Sequence, residues 1–182
     1  MENKYNFGVT LVFGSFLIMI SIYRFEKYKI DGEYRYAICS YATVYLYYAY
    51  PNKTRPRISQ FLTLPPFQRM GIGAELLNVI YRSFIGDQNI LDITGNSLSL
   101  IAMYSLYIQR IFFSFSTVED PSEEFVRLRD YVDAANCMKL DAFSNDKLSK
   151  GFSSEMVEEA KSTLLVNKVP TITILSISFP FI

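Results

Sequence analysis

Histidine and tryptophan are absent from this sequence of 182 residues. Without an imidazole, the chain cannot form a histidine-dependent catalytic triad, and it lacks the side chain that most often binds metals and transfers protons near neutral pH. Any proton transfer must therefore use a carboxylate, a lysine, a tyrosine, a cysteine or a water molecule. We expect no metal centre.

Cysteine is also scarce, with Cys39 and Cys137 far apart in the sequence. Their separation does not match the paired spacing of zinc sites. We expect both to be reduced, buried side chains of an intracellular protein.

An excess of either charge is missing as well, because Lys+Arg and Asp+Glu are equal at 18 each. The chain therefore lacks an overall basic surface, and we expect no direct nucleic-acid partner. Its length suits one domain, and a hydrophobic content of 50% is enough for a substantial core. The 15 phenylalanines and 14 tyrosines favour strands.

Residues 7–23 carry no charge. As a helix they would span roughly 26 Å, slightly less than the hydrocarbon core of about 30 Å. A membrane anchor is therefore a borderline interpretation. A signal peptide is weaker, because Lys4 is the only preceding basic residue and no Ala-x-Ala site follows. A buried strand or hairpin is the third interpretation.

From residue 23 onward, the patterns predict strands followed by helices. Asp31-Gly32 is a strong hairpin-turn signal. Strands are predicted over 34–50, 54–64 and 90–93, and helices over 72–85, from about 121 and from about 153. The stretch 95–116, which is apolar and has no clear period, separates the predicted strand 90–93 from the helix that begins at about 121.

The stretch 60–77 combines a strand, a glycine-containing turn and a helix. Backbone N–H groups and the positive end of a helix dipole meet at such a point, which favours phosphate binding. Gly71 and Gly73 allow close approach of a ligand to the backbone.

This turn resembles the acetyl-coenzyme A signature of the GNAT acetyltransferases, Gln/Arg-x-x-Gly-x-Gly/Ala. It lacks the third glycine of a dinucleotide fingerprint and the Gly-Lys-Ser/Thr of a P-loop. The segments that flank it resemble the catalytic subunit of the type B histone acetyltransferases. Those segments are 42–57, 91–94, 118–122, 125–132 and 150–152. The resemblance covers 23–94 and 118–168.

The resemblance implies an α/β fold of the GNAT type, a mixed, mostly antiparallel sheet flanked by helices. It also implies cofactor contacts. Backbone groups of Phe61, Leu62 and Thr63 would pair with the pantetheine arm of acetyl-CoA. The pyrophosphate would be received by Gln68, Arg69, Met70, Gly71, Ile72, Gly73 and Ala74.

The same resemblance assigns Tyr45, Leu46 and Tyr47 to contacts with the histone H4 tail, although residue types alone indicate only ordinary strand alternation.

Glu119 matches the catalytic base. A lysine ammonium, with a pKa near 10.4, must lose a proton before it attacks a thioester, and a carboxylate can accept that proton directly or through water. Without the resemblance, Glu119-Asp120-Pro121 would indicate the start of a helix.

The implied function is transfer of an acetyl group from acetyl-CoA to a lysine ε-amine of free, newly synthesised histone H4. A WD-repeat histone-binding subunit is the implied partner, in the nucleus and the cytoplasm. The alternatives are a catalytically impaired acetyl-CoA-binding fragment or splice variant and, third, a membrane-associated protein.

Three apolar segments depart from the family pattern. They divide the chain into an unmatched segment 1–22, an acetyltransferase domain 23–168 interrupted by an insert at 95–117, and an unmatched tail 169–182. Deleting the insert restores the contiguous family sequence Ile-Thr-Val-Glu-Asp-Pro. We interpret 95–116 and 169–182 as translated intron sequence, and a spliced transcript that encodes the full chain would refute this.

Overall fold

The structure is a computed structural model. It describes residues 5–13, 18–95 and 122–165, together with Pro170 and Ile174. The predicted base Glu119, nearly all of the insert 95–117 and most of the tail 169–182 lie outside the described residues.

Within the described residues, five strands form one sheet in the order β1-β2-β3-β4-β5. The strands are β1 (Tyr5–Phe13), β2 (Ile18–Ile30), β3 (Glu33–Ala49), β4 (Lys53–Thr63) and β5 (Thr94–Gly95). The first four pair antiparallel as a meander, and β4 pairs parallel with β5. Asp31 and Gly32 form the β2–β3 turn with φ values of 52° and 86°, as their sequence predicts.

The described residues of the uncharged N-terminal run, 7–13 and 18–23, belong to two antiparallel strands, which agrees with the third of the interpretations given above. Val9 of β1 pairs with Ile22 of β2, and Phe7 pairs with Arg24. Within the described ranges, no helix is long and apolar enough to cross a membrane.

Strand β4 has two different halves. Its first half pairs with the segment 89–95, through a bridge between Thr54 and Ile90 and the register Arg57↔Thr94. The predicted strand 90–93 was wrong in its bounds, because regular pairing begins only at Thr94. A bulge at Ser59, which has no partner between Thr43↔Gln60 and Val44↔Ile58, twists the second half away.

Four helices follow in the described residues: α1 (Ile72–Phe84), α2 (Glu123–Cys137), α3 (Asn145–Leu148) and α4 (Ser154–Leu164). Two of them begin at serine caps. The Ser122 hydroxyl accepts a hydrogen bond from the Phe125 N–H, and the Ser153 hydroxyl accepts one from the Met156 N–H, both at 3.3 Å. The three predicted helices are therefore confirmed.

The main core lies between one face of the sheet and α1. It contains Ile22, Ala42, Val44 and Ile58 from the strands, and Leu76, Leu77, Ile80, Tyr81 and Phe84 from the helix. A second core joins the end of α2 to α3 and α4, and Cys137 is buried there as a free thiol. An antiparallel meander followed by a β4–α1–β5 parallel crossover confirms the α/β fold with a mixed, mostly antiparallel sheet flanked by helices.

Candidate functional site

A groove of about 580 Å³ lies between the end of β4, the turn before α1 and the start of α2. Most of the predicted cofactor residues line it. They are Phe61, Leu62 and Thr63 of β4, with Gln68, Arg69, Gly71, Gly73 and Ala74 of the turn and helix start. The strand–turn–helix order of the sequence brings these residues together.

The N-terminus of α1 opens into this groove. Gly71 is the N-cap residue in the left-handed conformation, with φ of 78°, and Arg69 also has a positive φ of 59°. The first helical hydrogen bond runs from the Glu75 N–H to the Gly71 carbonyl at 3.0 Å. The N–H groups that precede Glu75 have no acceptor within the helix, and Gly71 has no side chain that could cap them. Such an end favours an anionic ligand.

Gly73 allows α1, β4 and α2 to approach each other closely. A Cβ atom at Gly73 would lie 3.3 Å from both Leu128 Cδ2 and Thr63 Oγ1, and 3.6 Å from Phe61 Cε1. A larger side chain would push these three neighbours apart and fill the groove where they meet.

The far edge of β4 supplies the second feature of the groove. Beyond Ile58, β4 pairs only with β3 among the residues that the structure describes. Its N–H and C=O groups on the other edge can therefore pair with an extended ligand in the manner of an added strand. The Gln68 side-chain amide donates to the Thr63 carbonyl at 3.0 Å, which fastens the turn to the end of this strand.

Helix α2 forms the opposite wall, which the sequence did not identify as part of the site. Ser122, Glu124, Phe125, Leu128 and Tyr131 line the groove. The Phe125 ring packs against the Phe61 ring with centroids 5.3 Å apart. The helical spacing of these residues predicted an apolar face. It could not show whether that face lies in the core or at the wall of a groove, because both give the same spacing.

Met70 and Ile72 do not line the groove. Met70 is 58% exposed, whereas Ile72 is buried in the core at the first position of α1. Their predicted contribution is through backbone N–H groups, which side-chain placement does not test.

The predicted tail-binding residues lie further along the sheet. Leu46 packs against the main core, whereas the Tyr45 and Tyr47 rings lie with centroids 6.4 Å apart. A second pocket, of about 370 Å³, is lined by Tyr47, Tyr48, Arg55, Arg57 and Thr94. The structure therefore places Tyr47 in a pocket and does not place Leu46 there.

Both arginines of this second pocket have identified contacts. Arg55 forms an ion pair with Asp92, in which a second bond joins Nη2 to Oδ2 at 3.2 Å. The Arg57 guanidinium lies over the Tyr47 ring at 5.9 Å from its centroid. The two pockets thus open on the two halves of β4, at either side of the point where β5 leaves it.

One buried acid lies between α1 and α2. Asp133 is 4% exposed, and burial raises its pKa to about 6, while a hydrogen bond donated by the Tyr81 hydroxyl opposes the shift. Burial, followed by the charge of Asp133, raises the pKa of the Tyr81 hydroxyl. Among the described residues, no three carboxylate or thiol side chains group as metal ligands would.

Comparison with known proteins was consistent with the motifs. Residues 129–169 match the family model described as "Histone acetyltransferase type B catalytic subunit, C-terminal". Catalytic subunits of type B histone acetyltransferases are 42% identical in Homo sapiens and 40% identical in Rattus norvegicus, each over 144 residues. One from Dictyostelium discoideum is 39% identical over 143 residues.

These relatives cover most of this chain, but the chain covers little of them. The human and rat alignments span 79% of the chain and 29% of the relative. The Dictyostelium alignment spans 78% of the chain and 26% of the relative. The chain is thus homologous to type B catalytic subunits over most of its length, and the resemblance inferred from the motifs is confirmed.

Among solved structures, an aminoglycoside acetyltransferase from an uncultured soil metagenomic sample matches with a TM-score of 0.33 and 15% identity. This match covers 58% of the chain and 64% of that protein. The fold assignment rests on the strand order and the β4–α1–β5 crossover instead.

Proposed function

We propose that the chain binds acetyl-CoA in the groove beside β4 and transfers the acetyl group to a lysine ε-amine of histone H4. One observation carries the proposal: the edge of β4 that is open among the described residues and the N-terminus of α1 meet in a single groove. The first suits an extended amide-containing chain, and the second suits a diphosphate. Acetyl-CoA contains both chemical groups in sequence.

The cofactor residues would then act at two positions. Backbone groups of Phe61, Leu62 and Thr63 would pair with the pantetheine amides. The N–H groups of the turn 68–74 would bind the pyrophosphate, with the Arg69 side chain adding a positive charge nearby. The α2 side chains Phe125, Leu128 and Tyr131 would cover the apolar part of the arm.

Catalysis would use Glu119 as the base. Its carboxylate accepts one proton from the lysine ammonium, directly or through a water, and the free amine attacks the thioester carbonyl. The C–S bond then breaks, the amide forms, and CoA leaves as a thiolate that takes up a proton. The oxyanion formed on attack requires a donor, which a backbone N–H of the open β4 edge can supply.

The substrate would lie on the other half of β4. Tyr45 and Tyr47, which pair across the strands with Arg57 and Arg55, would contact the histone tail. The similarity to type B histone acetyltransferase catalytic subunits supports a histone as the substrate. Histone H4, a WD-repeat histone-binding subunit, and a nuclear and cytoplasmic location complete the proposal.

A second candidate is acetyl-CoA binding without turnover. In this chain the insert 95–117 separates Thr94 from Val118 and Glu119, whereas in the family Ile-Thr runs directly into the Val-Glu-Asp-Pro segment. A displacement of about 1 Å at the base can cost about a hundredfold in rate. The cofactor groove does not depend on this connection.

Transfer of radiolabelled acetyl groups to a histone H4 tail peptide tests the proposal. We expect transfer by the full chain, and we expect Glu119→Gln to reduce it by about a hundredfold or more while acetyl-CoA binding persists. Glu123→Gln is the matched control, since this exposed acid pairs only with Arg127 in the described contacts and should leave the rate unchanged. Acetyl-CoA binding without transfer would support the second candidate, and the absence of both would refute the proposal.

A further inference from the structure

A row of paired residues crosses four strands beneath the N-terminus of α1. Phe7 pairs with Arg24, Arg24 with Ser40, and Ser40 with Thr63. Paired residues point to the same face of a sheet, so all four side chains share the face that α1 covers. The row ends in the groove, because Thr63 lines it and the Thr63 hydroxyl lies 3.3 Å from that of Ser40.

Arg24 is the unexpected member of this row. Its neighbours along the same face of β2, Ile20 and Ile22, belong to the apolar core, and Arg24 itself is only 4% exposed. A buried guanidinium is costly unless its charge is compensated. In the sequence, Arg24 was indistinguishable from the surface charges that follow it in β2.

The guanidinium of Arg24 has two partners, an acid of α1 and an aromatic ring of β1. Its guanidinium forms an ion pair with the Glu75 carboxylate, and it lies 5.1 Å from the centroid of the Phe7 ring. Glu75 belongs to the first turn of α1, and its side chain is 58% exposed. The ion pair therefore joins a buried position of the sheet to the helix end that opens into the groove.

Glu75 creates a conflict at that helix end. An acid in the first turn stabilises a helix through its dipole, but its negative charge repels an anion bound at the same N-terminus. Two like charges separated by about one helical turn repel each other appreciably at a protein surface. A diphosphate beside Gly71 therefore requires Glu75 to be neutralised or turned away.

We propose that Arg24 is a positioning residue that acts through Glu75: it draws the Glu75 carboxylate onto the sheet and neutralises it, so that the N-terminus of α1 can bind a diphosphate. This inference rests on the proposed function, because it concerns the same groove. It assigns a role in cofactor affinity to a side chain of β2 that does not line the groove.

Calorimetric titration with coenzyme A, and with pantetheine as a ligand without phosphate, tests this role. We expect Arg24→Met to weaken coenzyme A binding about tenfold at low ionic strength, because Glu75 is left unpaired, and to change pantetheine binding less than twofold. Adding Glu75→Gln to Arg24→Met should restore coenzyme A affinity to within about threefold of the wild type. The loss should shrink in about 0.5 M salt, where exposed charges are screened.

Two further variants keep the test decisive. Arg82→Met makes the same substitution at an exposed position in the last turn of α1, and it should leave coenzyme A affinity unchanged. Glu75→Gln alone alters only a half-exposed side chain, so it should fold even if Arg24→Met does not, and it should bind coenzyme A at least as tightly as the wild type.

Weaker coenzyme A binding by Glu75→Gln, an equal loss for both ligands in Arg24→Met, or no rescue in the double variant would overturn the role of Arg24. A wild-type chain that does not bind coenzyme A would instead overturn the proposed function, and this inference with it.

Discussion

Asp133 is a carboxylic acid whose folded environment favours its neutral form. It is nearly fully buried in α2, its Oδ1 atom has no hydrogen-bond partner among the described residues, and burial raises its pKa from 3.8 to about 6. The folded protein therefore binds this proton more tightly than the unfolded chain does. Between about pH 4 and pH 6 the folded state holds more protons, so the stability falls as the pH rises through this interval.

Asp133→Asn should remove this pH dependence. A shift of this size corresponds to at most about 3 kcal/mol, and an amide that is also incompletely paired recovers only part of it. We expect the free energy of unfolding at pH 7 to rise by about 1–2 kcal/mol, and its decline between pH 4 and pH 6 to disappear. Urea unfolding of both chains at pH 4, 5, 6 and 7 measures this, and parallel pH profiles would contradict the account.

Gly73 is required where three elements meet at the groove. Gly73→Ala should weaken acetyl-CoA affinity about tenfold, because the added Cβ lies 3.3 Å from Leu128 and Thr63 atoms at the groove wall. The free energy of unfolding should change by less than about 1 kcal/mol, since alanine's helix propensity offsets the crowding. Isothermal titration with acetyl-CoA and thermal unfolding measure the two effects.

Gly8→Ala is the matched control for this substitution. It adds the same Cβ in β1, where the nearest atom, Phe25 Cε1, is 3.6 Å away, at an ordinary contact distance. Its acetyl-CoA affinity should equal that of the wild type, and equal losses in both variants would argue against a specific role for Gly73.

At the scale of elements, the helices could be predicted because their signals are local. The 3.6-residue spacing predicted α2 and α4 without reference to the rest of the chain, and the structure adds equally local caps at Ser122 and Ser153. The bounds of β5 could not be predicted, because a parallel pairing of only two residues depends on which half of β4 offers an edge for pairing. The N-terminal run was ambiguous, because an uncharged apolar segment fits a helix or a strand until its pairing partner β2 is known.

The two serine caps allow a paired test of α2 as a groove wall. Ser122→Ala and Ser153→Ala each remove one side-chain cap at 3.3 Å, and each should destabilise the protein by about 1 kcal/mol. Only Ser122 lines the groove, at the start of the helix that also carries Phe125 and Leu128. We therefore expect Ser122→Ala alone to weaken acetyl-CoA binding, by about threefold to tenfold. Urea unfolding and calorimetry of both variants would show whether the two effects separate.

The candidate site was predictable only in part, because a sequence motif identifies only residues that are close together along the chain. The turn 68–74 and the end of β4 are contiguous in sequence, so one motif contains both. The α2 wall and Arg24 come from distant parts of the chain, and only the sheet register and the α1–α2 packing bring them to the groove. Leu46 was assigned to the tail-binding segment with Tyr45 and Tyr47, but strand alternation places its side chain against the core.

At the scale of the whole molecule, the cofactor groove and the predicted base belong to parts of the chain joined by the insert 95–117. Removing that insert should leave acetyl-CoA affinity unchanged, because the groove is built from β4, α1 and α2. Under the second candidate, in which the insert displaces Glu119 by about 1 Å or more, its removal should also raise acetyl transfer to the histone H4 peptide by about a hundredfold. Equal rates with and without the insert would show that it does not disturb the base.

The central claim is that the open edge of β4 and the N-terminus of α1 form an acetyl-CoA site. Isothermal titration of the full chain with acetyl-CoA tests it most directly, because it depends neither on Glu119 nor on a peptide substrate. The account predicts saturable binding at one site, with a Kd between about 1 μM and 1 mM, the range in which the KM values of enzymes usually lie, and weaker binding by Gly73→Ala. No saturable heat from a folded chain at millimolar acetyl-CoA would contradict it.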